Sequence, residues 1–414
     1  MDIKKLLSGI AIIIDDKIKE EDSQDLILKI RDQLKKNYIS ILEYEDLPNN
    51  TEICNFKNIS FILLDWQLFE TPEPGMQIDE PLFINNNIEF LKEIKKVGFA
   101  PVFIFSNQSP YSITRKLSDE GIYKEGSNNY IFIKQKQDLF SDVDDNLLFA
   151  EIENWLKKTP SMYVLKEWEH SLNEAKRDLF WTFYNINHNW PSVLQKTFKG
   201  DGSDVNYELG NFIYKNISAR TEQIPFDDNI LNLEDEDISK EDIRKVLEAE
   251  RFIKNDALPD KPCTGDLFEY EVDVNGSKEK RYYINIRPEC DIVRQGGNPK
   301  LYCLECRILD EQRINSGNDD EISFKEGNFI DKSNNIYIPF IDGGKIIEVR
   351  FRNMKILKWK DKLKDENDDE IDKMFKETRI GRLLPPYITK VQQRYSSYLQ
   401  RQGLPAIPEQ AISD

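Results

Sequence analysis

The stretch "ISFILLDWQL", residues 59–68, decides how this chain is read. Phe61, Ile62, Leu63 and Leu64 run without a break into Asp65. A short apolar run of this kind reads as a strand buried on both faces. A carboxylate at the carboxyl end of such a strand is either an ordinary turn residue or a group with chemistry. The ends of the neighbouring strands decide between the two.

Working outward, "GIAIII" (9–14) is a second apolar, β-branched run, and it ends on the pair Asp15-Asp16. "YISILEYE" (38–45), "APVFIFSN" (100–107) and "YIFIK" (130–134) read as three further strands. Between them lie stretches with helical spacing: 23–36, with Leu26, Ile27, Ile30 and Leu34 on one stripe, then 87–98, then 110–121. Five strands alternating with helices predict a doubly wound parallel sheet, which binds ligands at the carboxyl ends of its strands. Residues 138–220 turn helical and aromatic, with Trp168, Phe180, Trp181, Phe183, Tyr184 and Trp190 as core or a partner-docking face. Ser239, with Asp242 three residues on, marks a capped helix start. Beyond residue 257 strands return, with an Asn-Gly turn inside "EYEVDVNGSKEKRYYIN" as a hairpin signal. The expected architecture is therefore a five-stranded α/β domain (1–157), a helical connector (158–256) and a β-rich barrel or sandwich ending in an amphipathic helix (257–414).

Composition narrows the function classes. The 414 residues carry 57 Lys and Arg against 75 Asp and Glu, a net charge of −18. Such a surface repels nucleic acid unless a local basic patch overrides it. The one candidate patch is the last helix, with Arg379, Arg382, Lys390, Arg394 and Arg401, most simply a solvated face and otherwise a nucleic-acid or partner contact. No apolar stretch approaches the roughly 18 to 20 residues of a membrane span, and the cytoplasm is the expected compartment. The five cysteines, Cys54, Cys263, Cys290, Cys303 and Cys306, suit free thiols. Cys303 and Cys306 form a CxxC, but on a strand these positions point to opposite faces, which favours buried thiols over a zinc site. His170 and His188 are the only histidines and read as helix residues without a catalytic task. Glu289, Cys290 and Asp291, in "RPECDIVRQGGNPK", follow a strand with no histidine nearby to serve as a base. They are read as a structural or ligand-contacting turn.

The strand ends of the first segment carry Asp15-Asp16, Asp65, Ser106 and Lys134. Three carboxylates converging in one crevice form a hard-oxygen site suited to Mg²⁺. A carboxylate beside such a metal can attack a phosphoryl donor while a lysine balances the charge.

With these residues placed, segment 8–157 resembles the receiver domain of two-component response regulators. The resemblance makes Asp15, Asp16 and Asp65, with the backbone carbonyl of Gln67, the Mg²⁺ ligands. It makes Asp65 the phosphoacceptor, Ser106 the switch hydroxyl and Lys134 the phosphate counter-charge. The family often has Pro after its lysine where this chain has Gln135, and the loop after Asp65 is longer than usual and lacks the customary Met-Pro and Asp-Gly. The subtype looks like the response-receiver domains of bacterial anti-phage systems. That implies a histidine-kinase-like ATPase as partner and an effector or adaptor role for the C-terminal module, leaving a homodimer open. A pseudo-receiver scaffold without phosphotransfer, and an effector whose C-terminal part is an enzyme or DNA binder, are the alternatives. A haloacid-dehalogenase-like phosphatase also uses strand-end Asp, Ser or Thr, and Lys. Its nucleophile, however, sits in Asp-x-Asp on the first strand, where this chain has Asp15-Asp16-Lys17.

Overall fold

The protein is described by a computed structural model. It covers residues 2–20, 25–68, 80–124, 129–140, 147–221, 224–232, 238–274, 277–295, 299–309, 330–331, 334–360, 373–375 and 378–401. Most of the long loop after Asp65, the Asn275-Gly276 turn and the loop holding Gly296 and Gly297 lie outside these residues.

All five expected strands form: β1 (Ile10–Ile14), β2 (Ser40–Tyr44), β3 (Ile62–Leu64), β4 (Val102–Ser106) and β5 (Ile131–Gln135). They pair in parallel in the order β2-β1-β3-β4-β5, the flavodoxin-like doubly wound order. The helices of this part are α1 (Ile3–Leu6), α2 (Leu26–Lys36), α3 (Asn50–Ile53), α4 (Glu80–Val97), α5 (Pro110–Asp119), α6 (Leu147–Lys157) and α7 (Pro160–Ile186). The unbroken apolar strands are explained by burial on both sides. Ala11, Ile13, Phe103 and Phe105 share one core with α1, α2 and α6. Ile12, Ile14, Val102 and Ile104, one residue out of phase, share another with α3, α4 and α5. Asp25 caps α2 by accepting the Ile27 amide at 3.0 Å.

The chain divides into two compact units, 1–188 with 213–234, and 189–212 with 235–414. The helical stretch expected between the α/β and β-rich parts is thus shared between them. Its elements are α8 (Trp190–Gly200), α9 (Val205–Arg220), α10 (Asp228–Leu231) and α11 (Lys240–Arg251). Trp190 is buried against Phe212, while Trp168, Trp181 and Tyr184 on α7 are exposed. Ser239 caps α11, taking the Asp242 amide at 3.1 Å and donating to its carboxylate at 2.7 Å.

The second unit is built on one sheet of nine strands. These are β6 (Phe252–Lys254), β7 (Asp266–Val274), β8 (Ser277–Asn285), β9 (Lys300–Leu309), β10 (Ile330–Asp331), β11 (Asn335–Ile341), β12 (Lys345–Lys360), β13 (Lys373–Phe375) and β14 (Arg379–Leu383). They run β10-β11-β12-β9-β8-β7-β14-β6, with β13 beside β12. The expected hairpin is β7–β8, in register from Leu267↔Ile284 to Val274↔Ser277. Phe252 of β6 and Ile336 and Ile338 of β11, from opposite ends of the sheet, enter one core with Tyr387, Ile388 and Val391 of α13 (Tyr387–Gln400). The sheet therefore curls about this last helix. α12 (Glu289–Val293) contributes Ile292 to the core on the sheet's other face.

Two expectations meet their outcome here. Cys303 packs with Leu301 and Trp359 in one core and Cys306 with Leu304 and Val349 in the other, so the CxxC spans the sheet and its sulfurs diverge. Arg379 and Arg382 do not belong to the basic helix. They lie on β14, where Arg382 Nε meets Asp266 Oδ1 at 2.6 Å and Arg379 Nη1 meets Oδ2 at 3.3 Å. Both charges are spent on a buried carboxylate, not offered to a polyanion. No helix among the described residues is long and apolar enough to cross a membrane.

A Cβ at Gly381 would collide with the Phe252 ring and the Ile253 carbonyl, whereas at Gly210 on α9 it would meet open space. Gly381→Ala should therefore destabilise the second unit by ~1–3 kcal/mol through overpacking. Gly210→Ala should stabilise by up to ~1 kcal/mol. Denaturant unfolding of the two variants checks the opposite signs.

Candidate functional site

The register of the parallel sheet places the site. Ile14 pairs with Leu64, so the next residues, Asp15 and Asp65, emerge side by side at the carboxyl ends of β1 and β3. Leu64 in turn pairs with Ile104, which sets Ser106 at the adjacent end of β4. Oxygen atoms of Asp15, Asp16 and Asp65 all lie within 4.8 Å of one another. Asp15 and Asp65 are buried and Asp16 is half-buried. The backbone orients two of them: the Lys17 amide donates to Asp15 Oδ1 and the Gln67 amide to Asp65 Oδ1, each at 3.0 Å.

The lysine in this pocket is Lys136. Its Nζ lies 2.8 Å from Asp15 Oδ2 and 2.8 Å from Asp65 Oδ2, with Asp25 Oδ1 at 3.6 Å. Lys134 stands elsewhere, donating to Glu151 of α6 at 2.6 Å. The sheet explains the difference. Lys134 pairs with Phe105 inside the β4–β5 ladder, so its side chain shares the face on which Phe105 meets the helix core. Lys136 comes after the last ladder pair, Ser106↔Gln135, and starts a 3₁₀ turn (Lys136–Leu139) that carries it over the strand ends. Lys136 as a residue is 1% exposed. Burial pulls its pKa down, but the Asp65 and Asp15 carboxylates outweigh burial and raise it above the ordinary lysine value.

One ammonium does not balance three carboxylates. Burial, reinforced by Asp15, pushes Asp65 up to about 7 even against the opposing pull of Lys136. Burial and then the Asp15 charge raise Asp16 to about 6. A divalent cation would relieve both, and a few carboxylates are a donor set that Mg²⁺ accepts, with waters completing its shell. The residues thus fit a metal of this kind.

Ser106 is fully buried, and its Oγ accepts the Gln108 amide at 3.3 Å. Gln67 contributes its amide to Asp65, as above. Asp25 is a pocket residue that the strand ends do not announce. Burial works to raise its pKa, yet the Ile27 amide, Lys136 and Lys17 hold it below the ordinary carboxylate range. Its cap position ahead of an amphipathic helix is the sequence signal that marks it. Asn87 of α4 anchors the far side by donating to the Trp66 carbonyl at 2.8 Å.

The fold and the crevice together define a doubly wound α/β unit with an acidic cluster at the carboxyl ends of its strands. No protein-family model matches the chain, and no curated protein matches it. Among solved structures, the chain is similar to the signal receiver domain of an HD domain-containing protein from Pseudomonas fluorescens Pf-5. The likeness has 10% identity and a TM-score of 0.23, over 36% of this chain and 95% of that one. A de novo designed Rossmann 2x3 fold protein is similar at 14% identity and a TM-score of 0.20, over 36% of this chain and 90% of that one. Likenesses this distant add nothing to what the strand order and the acidic crevice state by themselves.

Removing Lys136 leaves two buried carboxylates uncompensated, so Lys136→Ala should cost ~3–5 kcal/mol in metal-free buffer. Lys134→Ala breaks a partly exposed pair and should cost at most ~1 kcal/mol. Chemical denaturation of both variants checks the assignment.

The raised pKa of Asp65 has a definite sign in stability. Unfolded, the group titrates near ~4, so between there and about 7 the folded state holds the extra proton. Stability from this group is therefore lost as pH rises through that window. Asp65→Asn removes the slope, so in metal-free buffer the variant should gain on the wild type between roughly pH 4 and pH 7. Thermal midpoints of both proteins across that range measure it.

Proposed function

We propose that the first unit is a signalling receiver that binds Mg²⁺ and accepts a phosphoryl group on Asp65. The observation that supports this most directly is the buried Lys136 ammonium held between Asp15 and Asp65, at 2.8 Å from each, beside a third carboxylate. Asp15, Asp16 and Asp65, with the Gln67 carbonyl, would hold the metal, which supplies charge neutralisation for the transferred group. An Asp65 carboxylate oxygen attacks the phosphorus of an N-phosphohistidine or a small acyl phosphate. The donor's P–N or P–O bond breaks, its electron pair leaves with the donor, and an aspartyl phosphate forms. Lys136 follows the new charge from the carboxylate to a phosphoryl oxygen. In this reading Lys136 holds the role that the resemblance assigned to Lys134.

Ser106, at the end of the adjacent strand, gives up its bond to the Gln108 amide and donates to the phosphoryl group, so β4 and the turn after it respond to phosphorylation. The donor in this reading is a histidine-kinase-like ATPase, and the second unit is the output. The competing reading, a scaffold without phosphotransfer, keeps the Lys136 pairs as permanent structure.

Incubation with Mg²⁺ and acetyl phosphate should add one phosphoryl mass to the intact protein. The gain should disappear in Asp65→Asn and under chelation, and persist in Lys134→Ala. A wild-type protein that gains no mass and shows no thermal shift with beryllofluoride is a scaffold, and the receiver proposal then fails.

A further inference from the structure

The second unit contains a cavity of about 440 Å³ that the receiver chemistry does not use. That volume lies in the range of small-molecule sites. At its polar end stands Glu289, the first residue of α12, which replaces the turn expected at "RPECDIV". Cys263 Sγ donates to Glu289 Oε1 at 2.9 Å, and the Tyr207 hydroxyl donates to the same carboxylate. Burial pushes both the thiol and the phenol well above their ordinary pKa values, and Glu289 adds to the effect. Both therefore remain protonated donors. Cys263 is a support for the carboxylate and not a nucleophile.

Two neutral donors orient Glu289, and the Arg382 guanidinium nearby balances part of its charge without bonding to it. A carboxylate offers about four lone-pair positions, so acceptor capacity is left over. Among the described residues no lysine or arginine forms an ion pair with it. Arg382 also lines the cavity, but its Nε is bound to Asp266 at 2.6 Å. The accessible apolar wall is formed by Pro259, Pro262 and Val293, with Trp359 and Ile292 buried behind it. At the cavity's exposed edge Lys261 Nζ, on a side chain 78% exposed, is paired with Asp204, which also lines the cavity, at 2.9 Å; a pair this exposed opens at little cost.

An oriented anionic acceptor in an apolar-walled cavity selects a ligand whose polar edge consists only of N–H donors. Guanine presents such an edge in its ring N–H and adjacent amino group. Adenine presents an acceptor beside its amino group, which the carboxylate would repel. We propose that this cavity binds a guanine nucleotide, with the base edge on Glu289, the ring against Pro259, Pro262 and Val293, and the phosphate drawing Lys261 away from Asp204. Cys263 and Tyr207 are positioning residues that act through Glu289. The site is independent of phosphotransfer in the first unit, and its failure would leave that reading untouched.

Calorimetric titration of the full chain with GMP, guanosine, AMP and adenosine tests it. GMP should bind, and AMP should bind about tenfold or more weakly, the discrimination that one bidentate edge pair supplies. Guanosine should keep the preference over adenosine. Glu289→Gln should weaken GMP by a similar factor with its thermal midpoint unchanged, and Lys261→Ala should weaken GMP but not guanosine. The comparison of bases on the wild-type protein stands even where a variant misfolds. No GMP binding, equal binding of GMP and AMP, or binding of arginine amide without guanosine would each overturn the proposal.

Discussion

The Lys136 ammonium, placed between two buried carboxylates, is the interaction on which the first unit depends. Asp15 and Asp65 follow directly on paired strands, so the parallel register that creates the sheet also forces two anions together. Isolated in the interior, each would cost several kcal/mol, on the order of what a whole domain has to spare. Lys136 reaches both at 2.8 Å and makes the arrangement tenable. It does not finish the task, because Asp65 and Asp16 still sit above the ordinary carboxylate range. A site left this far out of balance could hold a cation.

Much of this was legible from the residues. Strands buried on both faces announce themselves as unbroken Ile, Val, Leu and Phe runs, and the first polar residue after each run marks the crevice. The structure brings Asp15, Asp16 and Asp65 from those strand ends into one cluster and sets Ser106 at the end of the adjacent strand. The same logic misplaces the lysine, because "IFIKQKQD" offers two lysines of the same phase and only the ladder's true end separates them. The strand continues through Gln135, which leaves Lys134 inside the sheet and sends Lys136 over its edge. Asp25 was hidden for a different reason. Its residue type marks a helix cap, and only the tertiary fold brings that cap to the pocket.

The second unit was less legible for physical reasons of its own. Its strands pair across long sequence separations: β14 with β7, and β12 with β9. Short-range alternation identifies such strands without fixing their neighbours. Arg379 and Arg382 look, in sequence, like the start of a basic helix. In the fold they are the counter-ions of Asp266, which is buried and 0% exposed. The CxxC motif likewise lost its metal reading once β9 was seen to present one sulfur to each face. Glu289 gained meaning in the opposite direction, from a sequence oddity to the polar end of a cavity.

The central claim is that Asp15, Asp16 and Asp65 form a cation site completed electrostatically by Lys136. Diffraction from crystals grown with Mn²⁺ in place of Mg²⁺ tests it most directly, through the metal's anomalous signal. The account predicts an anomalous peak within coordination distance of the three carboxylates, with Lys136 still beside Asp65. Saturating Mn²⁺ with no peak in this crevice, or a peak there with Lys136 swung away from both carboxylates, would contradict it.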